Sequence, residues 1–402
     1  MKRTYYNIIK YHLDNWDQMV FIEGPRQAGK TTLAKQLISE YKVNRYFNWD
    51  NIEDRRLILS GPSFIEKVGI LDIGTNSKPL IVFDEIHKLR DWKNYLKGFY
   101  DTYSEKIKII ATGSAKLSIY KKGQDSLMGR YFSYMIHPIS LRESITVNLS
   151  ETEIQKPISI NDELYKNLIS YGGFPDPYIK ANKIFHAKWL QHRFEQLFRE
   201  DIMTIEEIKN LSQLEVLAYI LTSYATKQIN YTDLAKKIQV SDQTVRKWVS
   251  ILELFYFGYL VRPWDGNITR AILKQPKFYL WDWSAIKDIG ARAENFIASH
   301  LKKAVSYWGD IGLGKFEIFY IRTKEGKEVD FVVTKNGQPW FLLEVKHSKE
   351  NSLNKNLYYF QEQTKAEHAF QVVIDMEYED IDCFAYNKPI IVPAKTFLSQ
   401  LV

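Results

Sequence analysis

The 402-residue chain has a single cysteine, Cys383, which excludes a disulfide framework and any zinc site built from cysteines, and fits a reducing, cytoplasmic setting. It has no apolar run of about 18 residues, so no membrane-spanning helix is expected. The opening Met-Lys-Arg-Thr-Tyr-Tyr-Asn is basic but is not followed by an apolar stretch, so it does not read as a signal peptide. Acidic residues are outnumbered 48 to 55, giving a net charge of +7 and a pI near 9.0. A nucleic acid would be attracted by that surplus. Internal repeats and low-complexity tracts are absent too. What remains is ordinary globular composition, 45% hydrophobic and 26% charged, with length for two or three domains at about 100–200 residues each. The 14% aromatic content serves core packing and base stacking equally well.

In residues 1–150, short apolar runs at 18–23, 43–49, 80–84 and 108–112 alternate with amphipathic stretches. That alternation predicts a parallel α/β sheet. Residues 160–210 turn helical, interrupted by Tyr171-Gly-Gly-Phe-Pro175, a forced turn. Residues 211–263 carry three helical segments and an apolar strand, and strands return at 316–321, 328–333 and 340–346. The expected division is 1–150, 151–265 and 266–402.

The run Met19-Val-Phe-Ile-Glu23 leads into Gly24-Pro25-Arg26-Gln27-Ala28-Gly29-Lys30-Thr31-Thr32 and then an amphipathic stretch. Strand, glycine loop and helix in this order make a complete phosphate-binding P-loop. Its glycines let backbone amides approach phosphate oxygens, Lys30 neutralises the β and γ phosphates, and the Thr31 hydroxyl is a magnesium ligand. The companion strand, Pro79-Leu-Ile-Val-Phe-Asp84-Glu85, supplies Asp84 to the magnesium shell and Glu85 to activate water. A third strand ends in Thr112-Gly-Ser114, whose hydroxyls are candidate γ-phosphate sensors or plain turn residues. Arg130 is a candidate for the cation that stabilises transferred charge, from its own chain or a neighbouring copy in a homo-oligomer. Arg142 competes for the role, and a surface ion pair is the alternative for either.

On these residues the chain resembles prokaryotic P-loop ATPases of the AAA type that end in an uncharacterised restriction-nuclease-like domain. The resemblance extends through His137-Pro-Ile-Ser-Leu-Arg-Glu143, Tyr171-Gly-Gly-Phe-Pro175, Arg199-Glu-Asp-Ile202, Ala293-Glu-Asn295, Glu328-Val-Asp330 and Glu344-Val-Lys346. It implies ATP as the nucleotide, a choice that the P-loop alone does not make.

In the middle region, Tyr231 to Val240 reads as a short helix capped by Asn230 or Thr232. A second helix begins at Ser241-Asp242 and carries apolar Val245, Trp248, Val249 and Leu252, before the strand Gly258-Tyr-Leu-Val-Arg262. Helix, turn, helix and strand form a winged-helix pattern that exposes Gln243, Thr244, Arg246 and Lys247 to a DNA groove, or simply to solvent. Such domains also serve as protein–protein spacers.

Near the carboxyl end, Glu328-Val-Asp330-Phe-Val-Val333 and Phe341-Leu-Leu-Glu344-Val-Lys346 flank an Asn336-Gly337 hairpin turn. Strand alternation puts Glu344 and Lys346 on one face. Asp330 and Glu344 could share a magnesium ion, with Lys346 stabilising charge on phosphate and Glu294 completing the shell. This resembles the PD-(D/E)xK nuclease core, with all four polar positions present, although salt-bridged hairpin residues would look the same.

The expected fold is therefore α/β: a P-loop NTPase parallel sheet, a helical and winged-helix middle, and a small α/β restriction-endonuclease-like end. The expected function is magnesium-dependent ATP binding and hydrolysis acting on DNA, with the end domain a candidate metal-dependent nuclease. The rival is an ATP-driven switch acting on proteins, its end domain a non-catalytic platform.

Overall fold

A computed structural model describes residues 1–71, 77–113, 127–204, 210–265, 275–348 and 352–402. The chain divides into two compact units, Met1–His137 and Pro138–Val402.

The first unit is built on five strands, β1 (Met19–Glu23), β2 (Asn44–Asn48), β3 (Leu80–Asp84), β4 (Lys108–Thr112) and β5 (Tyr131–Met135). They lie in the order β2-β3-β4-β1-β5, with every neighbouring pair parallel. β1 and β3 are buried at all five positions. That explains their unbroken apolar runs, because a parallel sheet is covered on both faces and has no solvent side for polar residues. On one face the helix Trp92–Tyr103 presents Trp92, Leu96, Phe99 and Tyr103, at alternating spacings of four and three residues, to a core containing Phe21, Phe47, Phe64 and Phe83. Truncating a ring of this kind, such as Phe99→Ala, costs roughly 3–5 kcal/mol. β4 lies between β1 and β3, so its carboxyl end emerges between the P-loop strand and the acidic strand.

The second unit holds a mixed seven-stranded sheet in the order β12-β11-β10-β9-β8-β6-β7. Its strands are β6 (Gly258–Pro263), β7 (Lys277–Leu280), β8 (Phe316–Arg322), β9 (Glu328–Lys335), β10 (Gln338–Lys346), β11 (His368–Val373) and β12 (Ile390–Pro393). β8, β9 and β10 form an antiparallel meander, while β11 and β12 add in parallel. The turn between β9 and β10 is the expected Asn336-Gly337, with φ of 52° and 82°. Two consecutive left-handed residues match the twist of a hairpin, and asparagine and glycine tolerate that conformation best. The long helix Ile289–Asp310 packs on β8 and β10, and the helix Lys355–Thr364 on β10 and β11.

The middle region is helical. Tyr231–Ile238 is capped by the Asn230 side chain, and Asp242–Leu254 by Ser241, which accepts from the Thr244 amide. The strand after them, β6, pairs antiparallel with β7 and also joins β8. The expected division at 265/266 therefore passes between two hydrogen-bonded partner strands. Among the described residues, no helix is long and apolar enough to cross a membrane.

Candidate active site

The P-loop leaves β1 at Glu23 and enters the helix Lys30–Ile38 at its first residue. Gly24 has φ of 140°, and a β-carbon there would collide with the Ile136 carbonyl, so only glycine fits. Gly29 is left-handed, with φ of 93°, and turns the chain into the helix. A helix start concentrates amide N–H groups and the positive end of the helix dipole, so this loop favours a phosphate. Pro25, Arg26, Gln27 and Ala28 form the rest of the loop. Gln27 is itself left-handed at φ of 62°, and Thr32, beyond Thr31, is exposed. Lys30 is buried, and its Nζ donates to the carbonyls of Gly24 at 3.0 Å and Pro25 at 2.8 Å. Its ammonium is thus folded back over the loop that would receive the phosphates.

Asp84, at the end of β3, is where the neighbouring elements meet. The Thr31 hydroxyl lies 3.1 and 3.3 Å from its two oxygens, Thr112 donates to Oδ1 from β4, and Tyr46 donates to Oδ2 from β2. A hydroxyl and a carboxylate converging beside a phosphate loop are hard oxygen donors suited to magnesium, which takes few protein ligands and completes its shell with phosphate and water. Glu85 follows in a left-handed conformation with φ of 58°, a backbone state that costs a non-glycine residue on the order of 1–3 kcal/mol and marks functional sites. Burial raises its pKa, an effect opposed by the nearby charges of Lys30 and Lys88. Lys88 Nζ is 3.6 Å from the Glu85 carboxylate, and His87 Nε2 is 3.7 Å away.

The two candidate arginines have partners of their own. Arg130 precedes β5 and binds Asp101 through both Nε and Nη2, at 2.7 and 3.1 Å. Its carbonyl accepts from the Met19 amide at the start of β1, whereas the P-loop leaves the end of that strand. At ~3.3 Å per residue the length of β1 lies between this contact and the P-loop, and the Arg130 side chain is engaged by Asp101. Arg142 is buried in the second unit, where it donates to the carbonyls of Lys156, at 2.7 Å, and Ser399. It is a structural tie there. Ser114 lies outside the described residues.

Two residues that the sequence did not single out join the phosphate site. Tyr46 has its pKa raised, first by burial and then by its bond to Asp84. Arg3 is buried and binds the carbonyls of Ala28, in the P-loop, and of His137. No spacing rule links a residue so near the start to the loop.

In the second unit, Asp330 Oδ2 accepts from the Val345 amide at 2.9 Å, and continuing the β9–β10 register brings Asp330 opposite Glu344. Glu344 receives Asn354 Nδ2 at 2.8 Å and lies 3.4 Å from Lys346 Nζ. Burial, and then Asp330, push the Glu344 carboxyl up to about 7. Glu294 is raised to about 8 by burial and then by Asp330, against the pull of Lys277 and Tyr279. The four expected residues are thus gathered at one end of the meander. With them is one that the sequence did not flag: Lys277, in β7, lies within 4 Å of Glu294, Glu328 and Asp330. The signal available in the sequence was a lysine opening the apolar run Phe278-Tyr-Leu-Trp281, and the strand it begins is buried throughout. Among the described residues, no group of three or more acids, histidines or cysteines is placed to hold a metal ion.

On the helix Asp242–Leu254, Gln243, Arg246 and Lys247 are exposed as expected, while Thr244 is partly buried. Arg246 binds Asp242 at 2.8 Å and stacks on Tyr231.

The first unit has the strand order and P-loop of a nucleotide-binding domain, and sequence comparison agrees. Residues 17–145 match the family described as AAA domain, residues 162–288 a domain of unknown function (DUF8612), and residues 289–396 a second one (DUF4143). The chain thus carries an AAA-type P-loop domain followed by two domains of unknown function. It is 25% identical over 316 residues to uncharacterized protein MJ1637 of Methanocaldococcus jannaschii, a match covering 69% of this chain and 64% of that one. The chain therefore spans just under two thirds of that relative's length. Uncharacterized protein Rv2008c of Mycobacterium tuberculosis is 20% identical over 352 residues, covering 84% of this chain and 72% of the relative. Among solved structures, AMPPCP-bound DnaA from Aquifex aeolicus aligns with a TM-score of 0.32 and 15% identity, over 62% of this chain and 86% of that one. Drosophila ORC bound to AT-rich DNA and Cdc6 aligns at 0.26 and 8%, over 69% and 86%. Scores this low add nothing to the strand order itself.

Proposed function

We propose that the chain is a magnesium-dependent ATPase that acts on DNA. The observation that carries the ATPase part is the convergence of Thr31 and Thr112 on Asp84 beside the P-loop. Lys30 releases the carbonyls of Gly24 and Pro25 and turns to the β and γ phosphates, while the loop amides bind their oxygens. Thr31 and Asp84 hold magnesium, which when bound neutralises charge on the phosphates. Glu85 takes the proton of the attacking water, and its raised pKa brings it nearer the range in which a carboxylate is an effective base. Thr112 fixes the orientation of Asp84, and Arg130 completes charge stabilisation only if offered by a neighbouring copy.

The DNA part is supported by the +7 net charge and by the exposed Gln243, Arg246 and Lys247 on the second helix of a winged-helix pattern. In the end domain, a helix, an antiparallel three-strand meander, a second helix and a parallel strand follow one another. That succession, with Asp330, Glu344 and Lys346 at one end, supports a restriction-nuclease-like fold. The rival reading, a switch acting on proteins, is favoured by Lys277, whose charge already answers the acids of that domain.

ATP turnover with and without duplex DNA at several salt concentrations tests this reading. Lys30→Ala is expected to lose nucleotide binding, and Glu85→Gln to keep it while turnover drops about 100-fold or more. Normal ATP affinity in the Lys30 variant would overturn the ATPase assignment. DNA affinity that is negligible or insensitive to salt would transfer the partner to the protein class.

A further inference from the structure

Lys277 is 5% exposed, in a strand whose other residues are Phe278, Tyr279 and Leu280. Its Nζ lies 2.6 Å from Glu328, 3.2 Å from Glu294 and 3.6 Å from Asp330. Three carboxyl groups within 4 Å favour the charged ammonium form of the lysine. It faces a cleft of about 350 Å³ that is also lined by Thr226, Gln228, Glu294, Arg322, Glu328 and Asp330. The carboxylates are engaged by further donors as well. Tyr279 OH donates to Glu294 at 2.7 Å, Arg322 Nη1 lies 3.2 Å from Glu328, and the Val345 amide takes the second oxygen of Asp330.

A divalent ion in this cluster would need several of the same oxygens at about 2.0–2.6 Å. An ammonium held among them by its own backbone competes for each one and repels a second cation. The lysine is also costly to evict, because leaving a buried charge unpaired is strongly destabilising.

We propose that Lys277 is the resident cation of this cleft. A tethered ammonium occupies the position among Glu294, Glu328 and Asp330 that a metal ion would need, so the end domain of the resting chain has no divalent-ion site at these acids. The inference rests on the nuclease-like reading only for the idea that a metal would otherwise belong there. It concerns ion occupancy and not cleavage, so each can fail without the other. If it holds, the domain engages its partner through a cleft whose three acids are matched by Lys277, Lys227 and Arg322, and cleavage would require Lys277 to be displaced.

The test is a Mn2+ titration of the full-length, nucleotide-free chain, followed by electron paramagnetic resonance. Wild-type protein and Asp330→Asn are expected to bind Mn2+ identically, whereas Lys277→Met gains one site per chain that Lys277→Met/Asp330→Asn lacks. Mn2+ should raise the melting temperature of Lys277→Met by more than it raises that of wild type or of Lys277→Met/Asp330→Asn. A wild-type Mn2+ site that Asp330→Asn removes would overturn the proposal, as would a folded Lys277→Met chain that gains none. Should Lys277→Met fail to fold, the wild-type and Asp330→Asn titrations decide it: a shared profile supports the resident lysine, and a lost site refutes it.

Discussion

Thr112, at the end of β4, donates its hydroxyl to the carboxylate of Asp84, at the end of the adjacent parallel strand β3. The Glu85 amide also lies 3.5 Å from that hydroxyl. One side chain therefore touches both the acid assigned to the metal and the backbone of the acid assigned to water.

Thr112→Val keeps the shape and removes the bond. Loss of a hydrogen bond that orients a metal-binding carboxylate typically costs about 10–100-fold in metal affinity or activity. The expected result is a kcat for ATP hydrolysis reduced within that range and a raised magnesium requirement, with nucleotide affinity at saturating magnesium little changed. A magnesium titration of turnover checks it. Unchanged magnesium dependence would mean that Asp84 is held well enough by Thr31 and Tyr46 alone.

The strands that carry the candidate phosphate site were legible wherever the local pattern is strong. The P-loop, Asp84 and Glu85 lie at strand ends with unbroken apolar runs, and all of those strands are present. β5 escaped notice because Tyr-Phe-Ser-Tyr-Met alternates around partly exposed positions and offers no apolar run. Tyr46, Arg3 and Lys277 escaped for a different reason. Each acts through a partner that is distant in sequence, 38 residues for Tyr46 and Asp84 and 134 for Arg3 and His137. No periodicity within one segment reports such a contact. Arg130 illustrates the converse: its residue type suited the role, but its place before β5 and its pairing with Asp101 emerge only from the fold.

His300 gives the second unit an acid-sensitive point. Its Nε2 accepts from the Leu141 amide at 2.9 Å, so the ring proton must be on Nδ1, which lies 2.7 Å from the Phe296 carbonyl. Protonation would set an N–H against the Leu141 N–H. Burial lowers its pKa to about 3, with nearby Lys303 adding to the effect. Below pH ~6.5 the unfolded chain takes up a proton that the folded chain refuses. This contribution is therefore neutral above that pH, and stability falls by up to about 1.4 kcal/mol for each pH unit between there and the folded pKa. The expected observations are an imidazole resonance that does not titrate from pH 7.5 to 4.5, and a pH-dependent loss of urea resistance that is smaller in His300→Gln. A normal titration near pH 6.5 would refute the buried, neutral ring.

Arg3 joins the P-loop to the chain just beyond β5, donating to the carbonyls of Ala28 and His137 while only 5% exposed. The loop's amides can serve a phosphate only if its carbonyls are held away from it, and Arg3 holds one of them. Hydrogen bonds to a charged group are worth about 1.5–3 kcal/mol, and Arg3→Ala also leaves two carbonyls without that donor. The expected outcome is an ATP KM raised by roughly 10-fold with kcat reduced much less, since Asp84, Glu85 and Thr112 are untouched. Arg3→Lys should recover only part of the loss, because an ammonium is a point charge and not a planar fork spanning two acceptors. Steady-state kinetics on the two variants, compared with their melting temperatures, separates the effects. A fall in thermal stability with KM unchanged would make Arg3 a fold tether and not a positioning residue for the nucleotide.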